Sequence, residues 1–155
     1  MNGKAETLPA ASSEMLSDLQ RINHRQCVMC GKTHNNGFGL DFTLQPDGAV
    51  EATIFCSDHL AGYEKMLHGG VICSLLDSAM TNCLFSHGYV AVTAKLDVRF
   101  RHPARTGRPA TIRAWLPDPV ECGPIYETMA VIEQDGLTVA DAKGVFVKKE
   151  RGMPD

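Results

Sequence analysis

The stretch His68 to Met80, HGGVICSLLDSAM, decides how this chain is read. A histidine and two glycines open an apolar run, and one carboxylate, Asp77, sits inside it. Ile72, Leu75, Leu76, Ala79 and Cys83 recur at helical spacing, and Val71, Met80 and Leu84 widen the stripe. The pattern predicts a helix from about Gly70 to about His87, ended by Gly88. The narrow remaining face carries Ser74, Asp77, Ser78, Thr81 and Asn82. A helix this apolar needs cover on most of its sides.

The opening of that helix has chemical potential. Gly69 and Gly70 have no side chains, so a ligand can approach their backbone closely. The first N–H groups of a helix lack intrahelical partners and carry the positive end of the dipole. Such a turn can polarise a carbonyl oxygen as it gains negative charge. Asp77 has two readings: a solvated acid on a polar helix face, or a carboxylate with a chemical task.

Working outward, residues 1–11 read as a loose tail, and Ser12 or Ser13 caps a short helix through Ile22 with Met15, Leu16 and Leu19 on one side. The Gly-, Asn- and Cys-rich segment CVMCGKTHNNGFGL reads as a loop. LDFTLQ and AVEATIF flank a PDG turn as a β-hairpin, and FCSDHLAGYEKML connects it to the central helix. Beyond the helix, VTAKLDVRFRHP alternates: Val92, Ala94, Leu96, Val98 and Phe100 face one way, and Thr93, Lys95, Asp97, Arg99 and Arg101 the other. Pro103 stops the strand and ARTGRP turns. ATIRAWL is the next strand, broken by PDP at 117–119. GPIYETMAVIE and LTVADAKGVFVKK flank QDG as a last hairpin, and the tail ERGMPD is polar. The expected architecture is α+β, a long central helix wrapped by an antiparallel sheet, with a short N-terminal helix.

Composition narrows the function. A chain of 155 residues with 44% hydrophobic and 21% charged residues suits one soluble domain. A net charge of −3 argues against a nucleic-acid or membrane-surface partner. No apolar run spans a bilayer, and the first residues lack a secretion signal. The six cysteines are scattered, which fits reduced thiols and a cytoplasmic location.

HGGVICSLLDSAM followed by VTAKLDVRFRHPARTGRP resembles the hotdog-fold acyl-CoA thioesterases. The nearest group is typified by phenylacetic-acid-pathway thioesterases, within the 4-hydroxybenzoyl-CoA thioesterase superfamily. The likeness runs over roughly residues 26–148 of a one-domain chain, and the CVMCG loop followed by Gly39–Leu40 adds to it. It implies a tail and short helix over 1–25 and a hotdog domain over 26–150. It implies Asp77 as nucleophile or general base, and the Gly69 N–H as the group that polarises the thioester carbonyl. His68 would fix the turn, and Thr93 would hold the attacking water. It further implies an acyl-CoA substrate and a homodimer or tetramer whose sites combine one subunit's glycine turn with the other's acid. Many relatives carry Asn or Gln six or seven residues before the histidine, whereas this chain has Ala61 and Gly62, with Tyr63 and Glu64 nearby.

Thioester hydrolysis needs an activated nucleophile and a stabiliser for the oxyanion. Gly70, Ser78 and Thr81 are the expected neighbours of the substrate, the two hydroxyls by hydrogen bonding near Asp77. Arg101 and Arg105 are either a phosphate-binding pair for coenzyme A or part of a solvated strand face. Phe55, Tyr63, Phe85 and Tyr89, with Met66 and Leu67, are expected along the acyl tunnel. Cys27 and Cys30 have C-x-x-C spacing with His24 and His34 close by, but no second cysteine pair completes a four-ligand set, so neither metal nor cofactor is expected. Cys73 and Cys83 read as core fillers. Two other functions compete: a non-catalytic acyl-CoA-binding module, and a hotdog hydratase or dehydratase, for which the helix offers Asn82 and no further acid.

Overall fold

The computed structural model describes residues 8–117 and 123–149. Cys122, most of the PDP break, the end of the expected domain at 150, the ERGMPD tail and the first seven residues lie outside the described residues. Helix α1 spans Ser13–Asn23, and its cap is Ser12, whose side chain accepts from the Met15 N–H. Leu16 is its buried anchor. The hairpin follows as β1 (Thr43–Leu44) and β2 (Val50–Cys56). The first strand is shorter than LDFTLQ implies, although Leu40 and Phe42 still enter the core.

The connection to the central helix is more ordered than its sequence indicates. It forms a short 3-10 turn at Asp58–Leu60 and a two-stranded ribbon, β3 (Ala61–Tyr63) and β4 (Met66–Leu67). Helix α2 runs Gly69–Ser86, and Gly88 ends it at φ +82. Four strands complete the chain: β5 (Ala91–Phe100), β6 (Arg108–Trp115), β7 (Ile125–Gln134) and β8 (Leu137–Lys148). The β7–β8 turn places Asp135 and Gly136 both at positive φ, as the tightest hairpin turns require.

One antiparallel sheet holds six strands in the order β1-β2-β6-β7-β8-β5. Helix α2 lies across its concave middle and contacts every long strand. Leu75, Leu76, Met80 and Leu84 pack there against Ile112, Ile132 and Phe146. Gly144 on β8 permits the close approach, since a Cβ at that position would lie 2.6 Å from Met80 Sδ and 2.6 Å from Phe146. Helix α1 covers the other side of α2, and the Ser12 N–H donates to the Ser86 carbonyl at 2.7 Å.

Two sequence expectations need correction. The narrow polar face of α2 is not continuous, for Ser78, Thr81 and Asn82 are buried while Asp77 is half-buried. Asn82 is covered by α1 and the cysteine loop, where Gln20 donates to its Oδ1 at 2.6 Å. The alternation of β5 also fails. The register against β8 slips between Thr93, opposite Phe146, and Lys95, opposite Val145, so Ala94 is an extra residue. The bulge puts Thr93 on the helix side together with Leu96, Val98 and Phe100, and not with Lys95 and Asp97.

Candidate active site

The glycine turn is built by the ribbon and the loop after β5. The His68 N–H donates to the Leu60 carbonyl, and the Leu67 N–H to the Ala104 carbonyl. The turn at Arg105–Gly107 is held in place by Gln134, which accepts from the Arg105 N–H at 2.7 Å and donates to its carbonyl at 3.0 Å. His68 is the N-cap of α2. Its Nδ1 accepts from the Gly70 N–H at 2.9 Å, so the ring proton sits on Nε2. An imidazole thus does the work usually given to Ser or Asp.

That cap sorts the free donors. The Gly70 N–H is consumed by His68, and the Ile72 N–H by the His68 carbonyl. The Gly69 N–H makes no hydrogen bond among the described residues and remains available to a ligand. The cleft beside it has a volume of about 380 Å³ and is walled by Tyr63, Met66, His68, Gly69, Phe100 and Arg101. Phe100 of β5 stands 3.5 Å from where a Gly69 Cβ would be. Gly62 explains part of the departure at 61–62: a Cβ there would lie 3.0 Å from the His68 ring, so Asn or Gln would displace the cap.

Asp77 is half-buried in the middle of α2, and the Thr93 hydroxyl donates to its Oδ1 at 2.6 Å. Thr81 bonds instead to the Asp77 backbone carbonyl, and the buried Ser78 hydroxyl finds no partner among the described residues. Neither lines the cleft. Along the axis, eight residues separate Gly69 from Asp77, about 12 Å at helical rise. Within one chain the donor and the carboxylate therefore do not meet.

Arg101 reaches the cleft but is hydrogen-bonded to Asp141, whereas Arg105 is exposed and does not line it. Of the expected tunnel residues, Tyr63, Met66 and Leu67 line the cleft. Phe85 is core, Phe55 is exposed on β2, and Tyr89 stacks on Tyr126. Phe100 is the wall residue that the sequence reading did not single out for the site, although its alternation with Leu96 and Val98 had put it on the apolar face. Cys83 is buried, and burial pushes its thiol up to about 12, which leaves it inert.

The sheet wrapped on a capped central helix, with an open N–H at one end and an acid in the middle, defines a hotdog fold. A family profile described as thioesterase superfamily matches residues 64–116. The acyl-coenzyme A thioesterase THEM4 of Bos taurus is 24% identical over 137 residues, which cover 86% of this chain and 55% of that protein. This chain thus spans about half the length of that curated relative. The solved structure of the E. coli PaaI protein from the phenylacetic acid degradation operon superposes with TM-score 0.74 at 21% identity, over 89% of this chain and 96% of that one. A hypothetical thioesterase from Streptococcus pneumoniae, solved with coenzyme A, has TM-score 0.64 at 19% identity, over 71% and 88% of the two chains. It was also solved with Ala in place of an Asp and of a Thr sixteen positions apart, the separation of Asp77 and Thr93 here. The chain shares the fold of these solved structures, and its residues 64–116 are similar to the thioesterase superfamily profile.

Proposed function

We propose that the protein hydrolyses an acyl-CoA thioester to the free acid and CoA, at a site shared between two copies of the chain. The observation that carries this reading is the Thr93–Asp77 hydrogen bond, set on a helix whose first N–H is unpaired. Thr93 holds one carboxylate oxygen, and the other faces the reaction. As a base, Asp77 takes a proton from water while the water oxygen bonds to the carbonyl carbon. Thr93, whose hydroxyl donates a hydrogen bond to Asp77, can accept a hydrogen bond from that water. The Gly69 N–H receives the developing oxyanion. Collapse breaks the C–S bond, and protonated Asp77 gives its proton to the departing CoA thiolate. Attack by Asp77 itself, with hydrolysis of the resulting anhydride, uses the same geometry.

The separation of about 12 Å along the helix supports a site whose carboxylate and donor come from different copies. Strand β5 supplies a route. It is a ten-residue edge strand with Val92 and Phe100 exposed, and exposed edges invite pairing. Pairing there gives a dimer with two equivalent sites, which can assemble further into a tetramer. On this reading residues 26–150 form the hotdog domain and the segment 1–25 packs on it through α1. No helix among the described residues is long and apolar enough to cross a membrane; a cytoplasmic location is part of the proposal.

Burial of Asn82, tied to Gln20, Ser78 and Cys30, weighs against the hydratase reading, because Asn82 faces no cleft. Complementation tests the proposal. Asp77→Asn removes the carboxylate. Gly69→Pro removes the N–H, and proline suits the first turn of a helix that follows an extended residue such as His68. Each variant alone should be inactive in a thiol-release assay. Refolded together, they should recover about one quarter of wild-type turnover, since half the dimers are mixed and each mixed dimer rebuilds one of two sites. An active Asp77→Asn protein would remove the catalytic assignment. An inactive mixture of folded chains would remove the shared site. Tight acyl-CoA binding by the wild type with no thiol release would establish a binding module instead.

A further inference from the structure

We infer that His24, Cys27 and Cys30 form a binding site for a thiolate-preferring divalent metal ion of the zinc class, on the side of α2 away from Asp77. The sequence alone argued against metal, since only C-x-x-C and scattered histidines are visible. The fold supplies what was missing. His24 caps the end of α1, and the chain turns back at once, so that its imidazole and both sulfurs converge with all ligand atoms within 4.8 Å of one another. His24 Nδ1 lies 3.3 Å from Cys30 Sγ. A tetrahedral ion with ordinary Zn–N and Zn–S bonds holds such atoms about 3.5 Å apart.

The surroundings suit two thiolates better than two thiols. The backbone N–H groups of Met29 and Cys30 both point at the Cys27 sulfur. The Asn82 amide donates to Cys30 Sγ at 3.6 Å. A divalent cation bound there would replace the thiol protons and balance the charge of both sulfurs. Gly31 makes the turn tight: a Cβ there would lie 2.5 Å from the Cys27 nitrogen and 2.6 Å from its carbonyl oxygen. Phe85 packs edge-on to the His24 ring at 4.7 Å and fixes its orientation.

This site also accounts for Asn82, a fully buried amide in the middle of an apolar helix. Gln20 donates to its Oδ1 at 2.6 Å, and its own N–H groups go to Cys30 Sγ and the Ser78 carbonyl. Such outer hydrogen bonds orient metal ligands. The three side chains leave a fourth tetrahedral position, and the cleft lined by Ser17, Gln20, Arg21 and Arg25 opens onto it. Asn82 is five positions beyond Asp77, about 140° around the helix. The ion would therefore staple α1 and the cysteine loop to α2 without touching the proposed reaction.

The test uses the full-length protein, stripped by a chelator and titrated with Co²⁺ and Zn²⁺. Binding of one ion per chain is expected, with a thiolate-to-cobalt charge-transfer band, visible bands of tetrahedral cobalt, and displacement by Zn²⁺. Zinc should raise the melting temperature. Cys27→Ser and Cys30→Ser should abolish the charge-transfer band. Asn82→Ala, which keeps all three ligands, should weaken zinc affinity about 10–100-fold. Turnover per folded chain should be the same with and without the ion. The inference is overturned if the reduced wild-type protein gives no cobalt–thiolate band. It is equally overturned if mass spectrometry of the freshly purified protein shows a Cys27–Cys30 disulfide and the reduced form takes up no zinc.

Discussion

The hydroxyl of Thr93 donates to Oδ1 of Asp77 at 2.6 Å, joining the edge strand β5 to the middle of the central helix. The bond exists because one bulge residue, Ala94, turns Thr93 inward. It orients a carboxylate that has no basic side chain beside it in sequence.

The pair predicts a graded loss. Asp77→Asn should lower acyl-CoA turnover by about a hundredfold or more, the range of a lost acid–base group. Thr93→Ala should cost roughly tenfold, the equivalent of one hydrogen bond to a charged group. Thr93→Ser should stay near wild type. Thiol-release kinetics, with circular dichroism as a check on folding, measure all three. Equal losses in Thr93→Ser and Thr93→Ala would show that the methyl group, not the hydroxyl, matters.

The His68 cap predicts a stability pattern. His68→Ala should destabilise the protein by about 1 kcal/mol, the usual cost of losing an N-cap. His68→Ser and His68→Asn should recover most of that loss, because each offers an oxygen to the Gly70 N–H. Thermal unfolding reads the difference. If Ser is as unstable as Ala, packing of the ring on Gly62 dominates instead.

Gly144 predicts a packing limit. Gly144→Ala drives a methyl group into Met80 Sδ and Phe146, and overpacking of this kind costs about 1–3 kcal/mol. The melting temperature should fall by about 3–10 °C in a domain of this size. An unchanged melting temperature would mean that α2 can lift off the sheet at no cost.

Acid should act on Asp141. Its hydrogen bond from Arg101 holds the carboxyl below its ordinary value, with the charges of Arg101 and Arg99 adding to the effect. A carboxyl lowered in the folded state contributes stability above its unfolded value, near pH 4, and loses it as pH falls through the folded value. Asp141→Asn should therefore lower the melting temperature slightly at neutral pH, and the two proteins should converge below about pH 4, so the variant shows the flatter acid decline. The effect should be small, since the pair is exposed and screened. Identical acid profiles for the two proteins would remove Asp141 from the account.

The parts legible in sequence were local. The 3.6-residue period of Ile72, Leu75, Leu76, Ala79 and Cys83 predicted α2, and Gly88 marked its end. Ser12 capped α1, and Asp135–Gly136 marked the last hairpin. These signals depend on neighbours within a few residues, so no folded context is needed to read them. The glycine turn and Asp77 were legible for the same reason.

Contacts distant in sequence were decided by the tertiary structure. A bulge depends on how one strand registers against another, and period-two alternation cannot reveal it; Thr93 therefore reads as outward in sequence and is inward in the fold. Burial of Ser78, Thr81 and Asn82 depends on what covers α2. Convergence of His24, Cys27 and Cys30 depends on the chain reversing after α1. Sequence by itself thus determined the two helices and the long strands, through local periodicity and capping, but not the ribbon before α2. Only the packed chain decided which side chains share a site, because that follows from register, cover and closure between segments far apart along the backbone.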